Sequence, residues 1–299
     1  MPDLEEFVRQ SPYSTPGQHA GRLAALPDDV ASLCAGSRNV IAHYRAELPD
    51  LPEERRGEID SRWLEAILAL DRQRHPAGLD QPRPPADWVA GCCRDHTLLV
   101  VGALRQRGIP ARSRIGFAHY FTRGWAADHV VVERWDRGRW RRADPELGPD
   151  VAFDEHDLPT GSGAPFETAA ESWLGWRAGD RDLSTYGVSV EIPDLSGPDF
   201  VRGYVVFEVA HRYGDELLLW DGWGATEELS DLGLVDEVAR LLVLADAGDA
   251  SAEADLRSRY REDDRLHPGD QVTTYSPYGL PPRRTVLRTG APAPAPDHR

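Results

Sequence analysis

Apolar residues recur at helical spacing in the first quarter of the chain and over most of its second half, and they alternate in between. Residues 18–72 read as mostly helical. Leu23, Ala24 and Leu26 come first, then a stretch from Val30 to Leu48 with apolar positions at Val30, Leu33, Cys34, Val40 and Ile41. Trp63, Leu64, Ile67 and Leu68 sustain a third helix from Ser61 to Arg72. Pro and Gly crowd His75 to Pro85, which predicts an extended connector. A helix then begins near Cys93. Its segment Leu98 to Leu104 is apolar nearly all round, as a buried core helix requires. Arg105 and Arg107 suit its last turn, Gly108 its C-terminal cap, and Pro110 blocks continuation.

Ala111 to Phe121 alternates instead, with Ile115, Phe117 and His119 on one face. After a loop through Arg123-Gly124-Trp125, His129 to Trp135 predicts a second strand, and Trp140 to Asp144 a third. Between them lies the turn Asp136-Arg137-Gly138-Arg139. If Arg137-Gly138 is a two-residue hairpin loop, Asp136 faces Arg139 and Val131 faces Asp144. His129, two residues from Val131, then shares that face. The diagonal Cβ separation is about 7–8 Å, which the two side chains span. A slip of one residue would put them on opposite faces. Beyond, Thr168 to Trp176, Phe200 to His211, Asp231 to Leu244 and Ala252 to Tyr260 fit helical periods. Gly161 to Pro165 reads as a mobile loop, and the Pro- and Ala-rich tail 289–299 as disordered.

The 299 residues include 50 acidic and 34 basic ones, for a formal net charge of -16. Such a field repels phosphate backbones and anionic lipid, so neither nucleic acid nor a membrane surface is an expected partner. Every basic residue other than histidine is Arg, a bias that looks like a GC-rich bacterial genome. With no Lys, the protein has no lysine side chain to act as its own acyl acceptor. Cys34, Cys92 and Cys93 give no disulfide framework, and sequence neighbours pair only with strain. The N-terminus lacks an apolar signal region, and no run approaches the roughly 18 apolar residues of a membrane span. A reduced, soluble, cytoplasmic protein is expected. No phosphate loop or dinucleotide fingerprint is present, so no cofactor is expected. Cys92, Cys93 and His96 lack the C-x-x-C or H-x-x-x-H partner that would complete a metal site, so no metal is expected either.

The chemistry-bearing residues fall in the order thiol, imidazole, carboxylate, which nucleophilic acyl transfer requires. Cys93 sits at a helix start. A helix N-terminus and a neighbouring imidazolium lower a thiol from about 8.5 to roughly 3.5–7.5. Asp95 opposes this, and the imidazole is expected to dominate. In this reading Cys93 attacks a carbonyl, His129 shuttles the proton, Asp144 fixes the ring tautomer, and the Cys93 N–H forms half of an oxyanion hole. Arg38, His43, Trp63 and Gln81 stay open as the second donor. His96 reads as a polar helix residue and Cys34 as an inert core residue. His119 is a candidate for the cleft lining, and Trp88 and Trp125 for its walls or for the core.

Gly91-Cys92-Cys93-Arg94-Asp95, Gly108-Ile109-Pro110-Ala111-Arg112, Asp128-His129 before a strand, and Trp140 through Asp144-Pro145 resemble the transglutaminase-like superfamily of cysteine enzymes. The resemblance is strong over about residues 88–149, and Trp220-Asp221-Gly222-Trp223-Gly224 is similar to uncharacterised bacterial members. It implies a papain-like α+β fold, a Cys-bearing helix packed on an antiparallel sheet, with helical flanks on both sides. It also implies that Cys93, His129 and Asp144 are catalytic. Cys93 is favoured over Cys92 because Asp95 then falls two positions later, although His96 stands where the family more often has an aromatic. The implied organisation is an N-terminal helical region (1–74), a catalytic core (75–150), a C-terminal helix-rich region (151–288) and the tail. The implied activity passes through an acyl thioester. Water would resolve it in an amidase or peptidase, an amine in a transglutaminase, and hydrolysis is favoured because bacterial members are often hydrolases. An amide synthase of small-molecule biosynthesis and a non-catalytic binding protein are the alternatives. The expected partner is a peptide, protein or small-molecule amide or thioester, and the acidity suits a small or cationic one.

Overall fold

A computed structural model describes residues 4–227 and 231–287; the tail 289–299 lies outside them. The chain enters through short helices α1 (Glu5–Val8) and α2 (Ala20–Ala24). Helix α3 (Val30–Val40) follows, its first turn capped by the Asp29 carboxylate accepting the Ser32 N–H. The expected helix to Leu48 stops short. Ile41 goes extended, and strand β1 (Ile41–His43) takes over where β-branched residues meet. Helix α4 (Leu64–Arg74) leads to strand β2 (Val89–Gly91), which pairs parallel with β1 so that His43 stands opposite Gly91. That pairing brings a histidine beside the start of the next helix.

Helix α5 (Cys93–Gln106) is the buried centre of the molecule. At its start the Asp95 carboxylate reaches back to the Cys92 N–H at 2.9 Å. At its end Gly108 adopts a φ of 71°, the left-handed conformation expected of a cap glycine. The helix packs on an antiparallel meander of β3 (Ala111–Thr122), β4 (Trp125–Asp136) and β5 (Arg139–Ala143). Strand β4 begins at Trp125, earlier than the alternation indicates. Arg137 and Gly138 both have positive φ, 50° and 81°, as a two-residue type I′ loop demands. Asp136 pairs with Arg139 and Val132 with Ala143, the register that such a loop dictates.

The remainder is less purely helical than its periodicity suggests. Strand β6 (Phe166–Thr168) adds antiparallel to β3, and β7 (Tyr186–Gly187) pairs parallel with β4 at Ala126 and Ala127. The central sheet therefore runs β5-β4-β3-β6, with β7 on β4 beyond the end of β5. A second small sheet joins β8 (Asp221–Gly222), β9 (Gln271–Thr274) and β10 (Arg283–Val286). Strands of two to four residues are too short to show an alternation, which is why helices dominate the sequence reading. The helices are α6 (Ala169–Arg177), α7 (Pro198–Arg212), α8 (Gly224–Glu227), α9 (Leu232–Asp246) and α10 (Ala250–Glu262). The class is α+β: a Cys-bearing helix on an antiparallel sheet, with helices on both flanks. One hydrophobic cluster joins Leu33, Leu64, Leu99, Val130, Val205 and Val238. Among the described residues no helix is long and apolar enough to cross a membrane.

Gly116 marks the tightest point of the sheet. It pairs with His129 on one side and Thr168 on the other, and a Cβ there would meet the Glu167 carbonyl oxygen at 2.0 Å. Gly116→Ala is expected to destabilise the fold by about 1–3 kcal/mol through overpacking. Urea unfolding with an unchanged slope checks this, and an unshifted midpoint would refute the close approach.

Candidate active site

Three elements deliver the thiol, imidazole and carboxylate to one place. Cys93 is the first residue of α5, so its N–H is among the first-turn donors that no helical carbonyl reaches. His129 lies on β4 between the stretch paired with β7 and the stretch paired with β5. Asp144 follows β5 directly. His129 Nε2 and Asp144 Oδ2 are 2.8 Å apart. Tyr120 OH donates to the same oxygen at 2.5 Å, and the Glu146 N–H donates to Asp144 Oδ1 at 2.9 Å. Arg38 donates to the Pro145 carbonyl at 2.9 Å and steadies this turn. With the Nε2 proton committed to Asp144, Nδ1 is free to face the thiol. Cys93 Sγ, a ring nitrogen of His129 and a carboxylate oxygen of Glu146 all lie within 4.8 Å of one another.

The electrostatics depart from expectation at the sulfur. Burial opposes charge on the His129 ring, and the Asp144 carboxylate outweighs it, so the imidazole sits above its ordinary range. Burial also opposes charge on Asp144, but His129 and Tyr120 hold it below the usual carboxylate range. The Cys93 thiol is pushed well up rather than down. Contact with the Cys92 thiol contributes most, then burial, with Glu146 and Asp128 adding to it. Asp95 is not the solvated carboxylate that a first-turn position suggests: it is buried and paired with Arg94 at 2.8 Å. Glu146, forced into low dielectric beside Asp144, is pushed up to about 7.

Cys93 is only 4% exposed and lies on the wall of a cavity of about 790 Å³. His43, His129, Glu146 and Cys92 border the same space. Another stretch of its wall comes from residues between Val188 and Glu227, with Tyr275 and Pro277. Trp220 belongs to that wall; Trp88 and Trp125 do not. The Trp88 carbonyl accepts from Arg55 and Arg74, while the Trp125 indole donates to the Gly187 carbonyl. His119 turns to Glu167 and Tyr186 and stays outside the cavity lining. His96 is buried against Ser37, and burial lowers its ring to about 3. Cys34 is buried in the main core, which raises its thiol to about 12. Of the four candidates for a second donor, only His43 borders the cavity. Gln81 is exposed, Arg38 holds Pro145, and Trp63 packs against the core at the start of α4.

Two contributors escaped the sequence reading. Tyr120 falls on an alternating strand, where nothing distinguishes it. Glu146 does carry a signal, because it stands two positions after Asp144 on a turn that doubles back. The stretch of wall around Asp221 is clamped by a buried ion pair. Arg62 Nη2 meets Asp221 Oδ1 at 2.5 Å, and Thr274 Oγ1 donates to the same oxygen at 2.8 Å. Trp220 Nε1 donates to Asp60 at 2.9 Å. Arg62→Ala strands Asp221 as an uncompensated buried charge and is expected to destabilise the protein by about 3–5 kcal/mol. Chemical denaturation checks it, and a loss below about 1 kcal/mol, the scale of an exposed pair, would contradict the clamp.

A cysteine, a histidine and an aspartate are gathered on a helix start and a hairpin, and these are the residue types that nucleophilic cysteine chemistry uses. Residues 63–145 match the model of the transglutaminase-like superfamily, so the chain carries a transglutaminase-like segment that includes Cys93, His129 and Asp144. No curated protein matches the chain. A crystal structure from Cytophaga hutchinsonii, provisionally named a cysteine protease, aligns at 18% identity with a TM-score of 0.32. The alignment covers 50% of this chain and 44% of that one, so the chain spans less than half of that structure's length.

Proposed function

We propose that the protein is a cysteine acyl-transfer enzyme that cleaves or exchanges an amide bond through a thioester on Cys93. The observation that carries this reading is the placement of the Cys93 sulfur within 4.8 Å of a His129 ring nitrogen, with His129 bound to Asp144 at 2.8 Å. A binding module needs no such relay.

In this reaction, in molecules whose His129 ring is unprotonated at Nδ1, the thiol proton passes to that nitrogen as Sγ attacks the carbonyl carbon. Because the thiol is held protonated, proton transfer accompanies attack rather than preceding it. The carbonyl oxygen becomes an oxyanion facing the Cys93 N–H and His43. The Arg45 and Ala46 N–H groups donate to His43 Nδ1 at 3.2 and 3.3 Å, so Nε2 carries the proton. Burial, with His129 adding to it, lowers the His43 ring to about 4, so it stays neutral and donates without adding charge. Collapse of the tetrahedral intermediate breaks the C–N bond, and the imidazolium returns its proton to the leaving amine. Water then attacks the thioester with His129 as base, releasing the acid and restoring the thiol; an amine in place of water gives a new amide.

The cavity favours a substrate with an apolar or aromatic body, since Phe121, Phe200, Phe207, Leu219 and Trp220 border it. Asp194, Asp199 and Glu227 border it too and favour a neutral or cationic end over an anionic one. Peptides, proteins and small-molecule amides or thioesters of that chemistry are the substrate class.

Intact-protein mass spectrometry with a thioester and activated-amide panel tests the assignment. Wild type and Cys92→Ala should gain one acyl mass, and Cys93→Ala none; an adduct that persists in Cys93→Ala overturns it. His43→Ala should slow acylation by about 10²–10³-fold. Alkylation of the thiol by iodoacetamide forms no oxyanion and should proceed unchanged. Equal loss in both reactions would place His43 outside the oxyanion hole.

A further inference from the structure

The relay explains Cys93, His129 and Asp144 but leaves Glu146 without a task. Its carboxylate stands 3.9 Å from His129 Nδ1, on the side of the ring away from Asp144. Cys93 Sγ, the His129 nitrogen and Glu146 thus present one sulfur, one nitrogen and one oxygen to a common point. We infer that Cys93, His129 and Glu146 form a binding site for a single zinc ion, which ties up the nucleophile reversibly.

The donor set selects the class of ion. A thiolate with an imidazole disfavours calcium and magnesium, which take oxygen ligands, and suits zinc. Zinc displaces the Cys93 thiol proton to solvent, and the resulting thiolate and the Glu146 carboxylate together neutralise the dication. Zinc bonds of about 2.0–2.3 Å set ligand separations of roughly 3.3–3.8 Å in a tetrahedron. The His129–Glu146 distance of 3.9 Å would shorten by about half an ångström on binding. The outer shell is built as well. A metal-bound histidine commonly gives its other ring N–H to a carboxylate, which fixes the tautomer and orients the lone pair. Asp144 does this for His129 at 2.8 Å, and Tyr120 and the Glu146 N–H hold Asp144 in turn. The cavity supplies both an entry path and room for a water as fourth ligand. Glu146 thereby separates this site from a bare thiol–imidazole pair, which offers only two donors. Binding stands on these three ligand atoms, while its effect on turnover rests on the reading of Cys93 as nucleophile.

Cobalt(II) titration of the full-length, metal-free protein tests binding without any substrate. One equivalent should bring a near-ultraviolet thiolate-to-cobalt band with the visible spectrum of a four-coordinate ion, and zinc should displace it while calcium and magnesium do not. Cys93→Ser should abolish the band. Cys92→Ser should keep it. Glu146→Gln should weaken binding at least tenfold, and Asp144→Asn by about 10–100-fold. The group of exposed Asp154 with half-buried Glu155 and His156 also places its ligand atoms together but holds no thiol and cannot produce the band. Absence of the band in wild type, its persistence in Cys93→Ser, or unchanged affinity in Glu146→Gln with a native circular dichroism spectrum would overturn the inference. Acylation of the metal-free protein is read separately. Acylation without a band removes the zinc site and leaves the enzyme reading, whereas a band without acylation does the reverse.

Discussion

A hairpin loop of two residues sets the His129–Asp144 pair on which the site is built. Because Arg137 and Gly138 close the turn alone, Asp136 must face Arg139, and the count along both strands places Asp144 diagonally across from His129. The relay is therefore a matter of register, and register is enforced twice. The positive backbone angles at 137 and 138 fit the strand twist. Val130 and Val132 enter the main core, while Val131, with Phe166 and Leu158, fills a smaller one. Sliding the pair by one residue would exchange these faces and bury the wrong side chains.

Charge burial is the second theme. Asp144 is fully enclosed, and its oxygens are satisfied by His129, Tyr120 and the Glu146 N–H, so its charge is kept at modest cost. A larger cluster performs a similar task away from the cavity. Arg112, Arg114 and Arg212 converge on Asp246 at the end of α9, with Glu133, Glu208 and Glu253 completing the set. Removing a member would leave its partners uncompensated, so this cluster binds the C-terminal helices to β3 and β4 in one arrangement. That arrangement in turn presents α7 to the cavity.

Long periodic segments were readable from the chain: α5, α7, α9 and the β3–β4–β5 meander all lie within a few residues of their expected bounds. His129 and Asp144 were readable as neighbours because one turn relates them. Strands β1, β2 and β6 to β10 were not, since two to four residues carry no period and, except for β9 with β10, their partners lie far away in sequence. The thiol's environment was also hidden. Whether Asp95 is solvated, and whether Cys92 touches Cys93, depends on packing contributed by distant segments such as Arg94 against the Glu216 carbonyl. Tyr120 joined the site for the same reason, through a contact no local pattern encodes, whereas Glu146 follows Asp144 by two residues and could have been suspected.

The segment that matches the superfamily ends at residue 145, yet about half of the residues that line the cavity beside Cys93 come from residues 188–227. On the proposed reading, the bond-making groups and much of the cavity's shape are thus encoded in separate stretches of the chain. Under that reading, mutation can reshape what the cavity admits without touching Cys93, His129 or Asp144, and two proteins alike in the first stretch need share no diet.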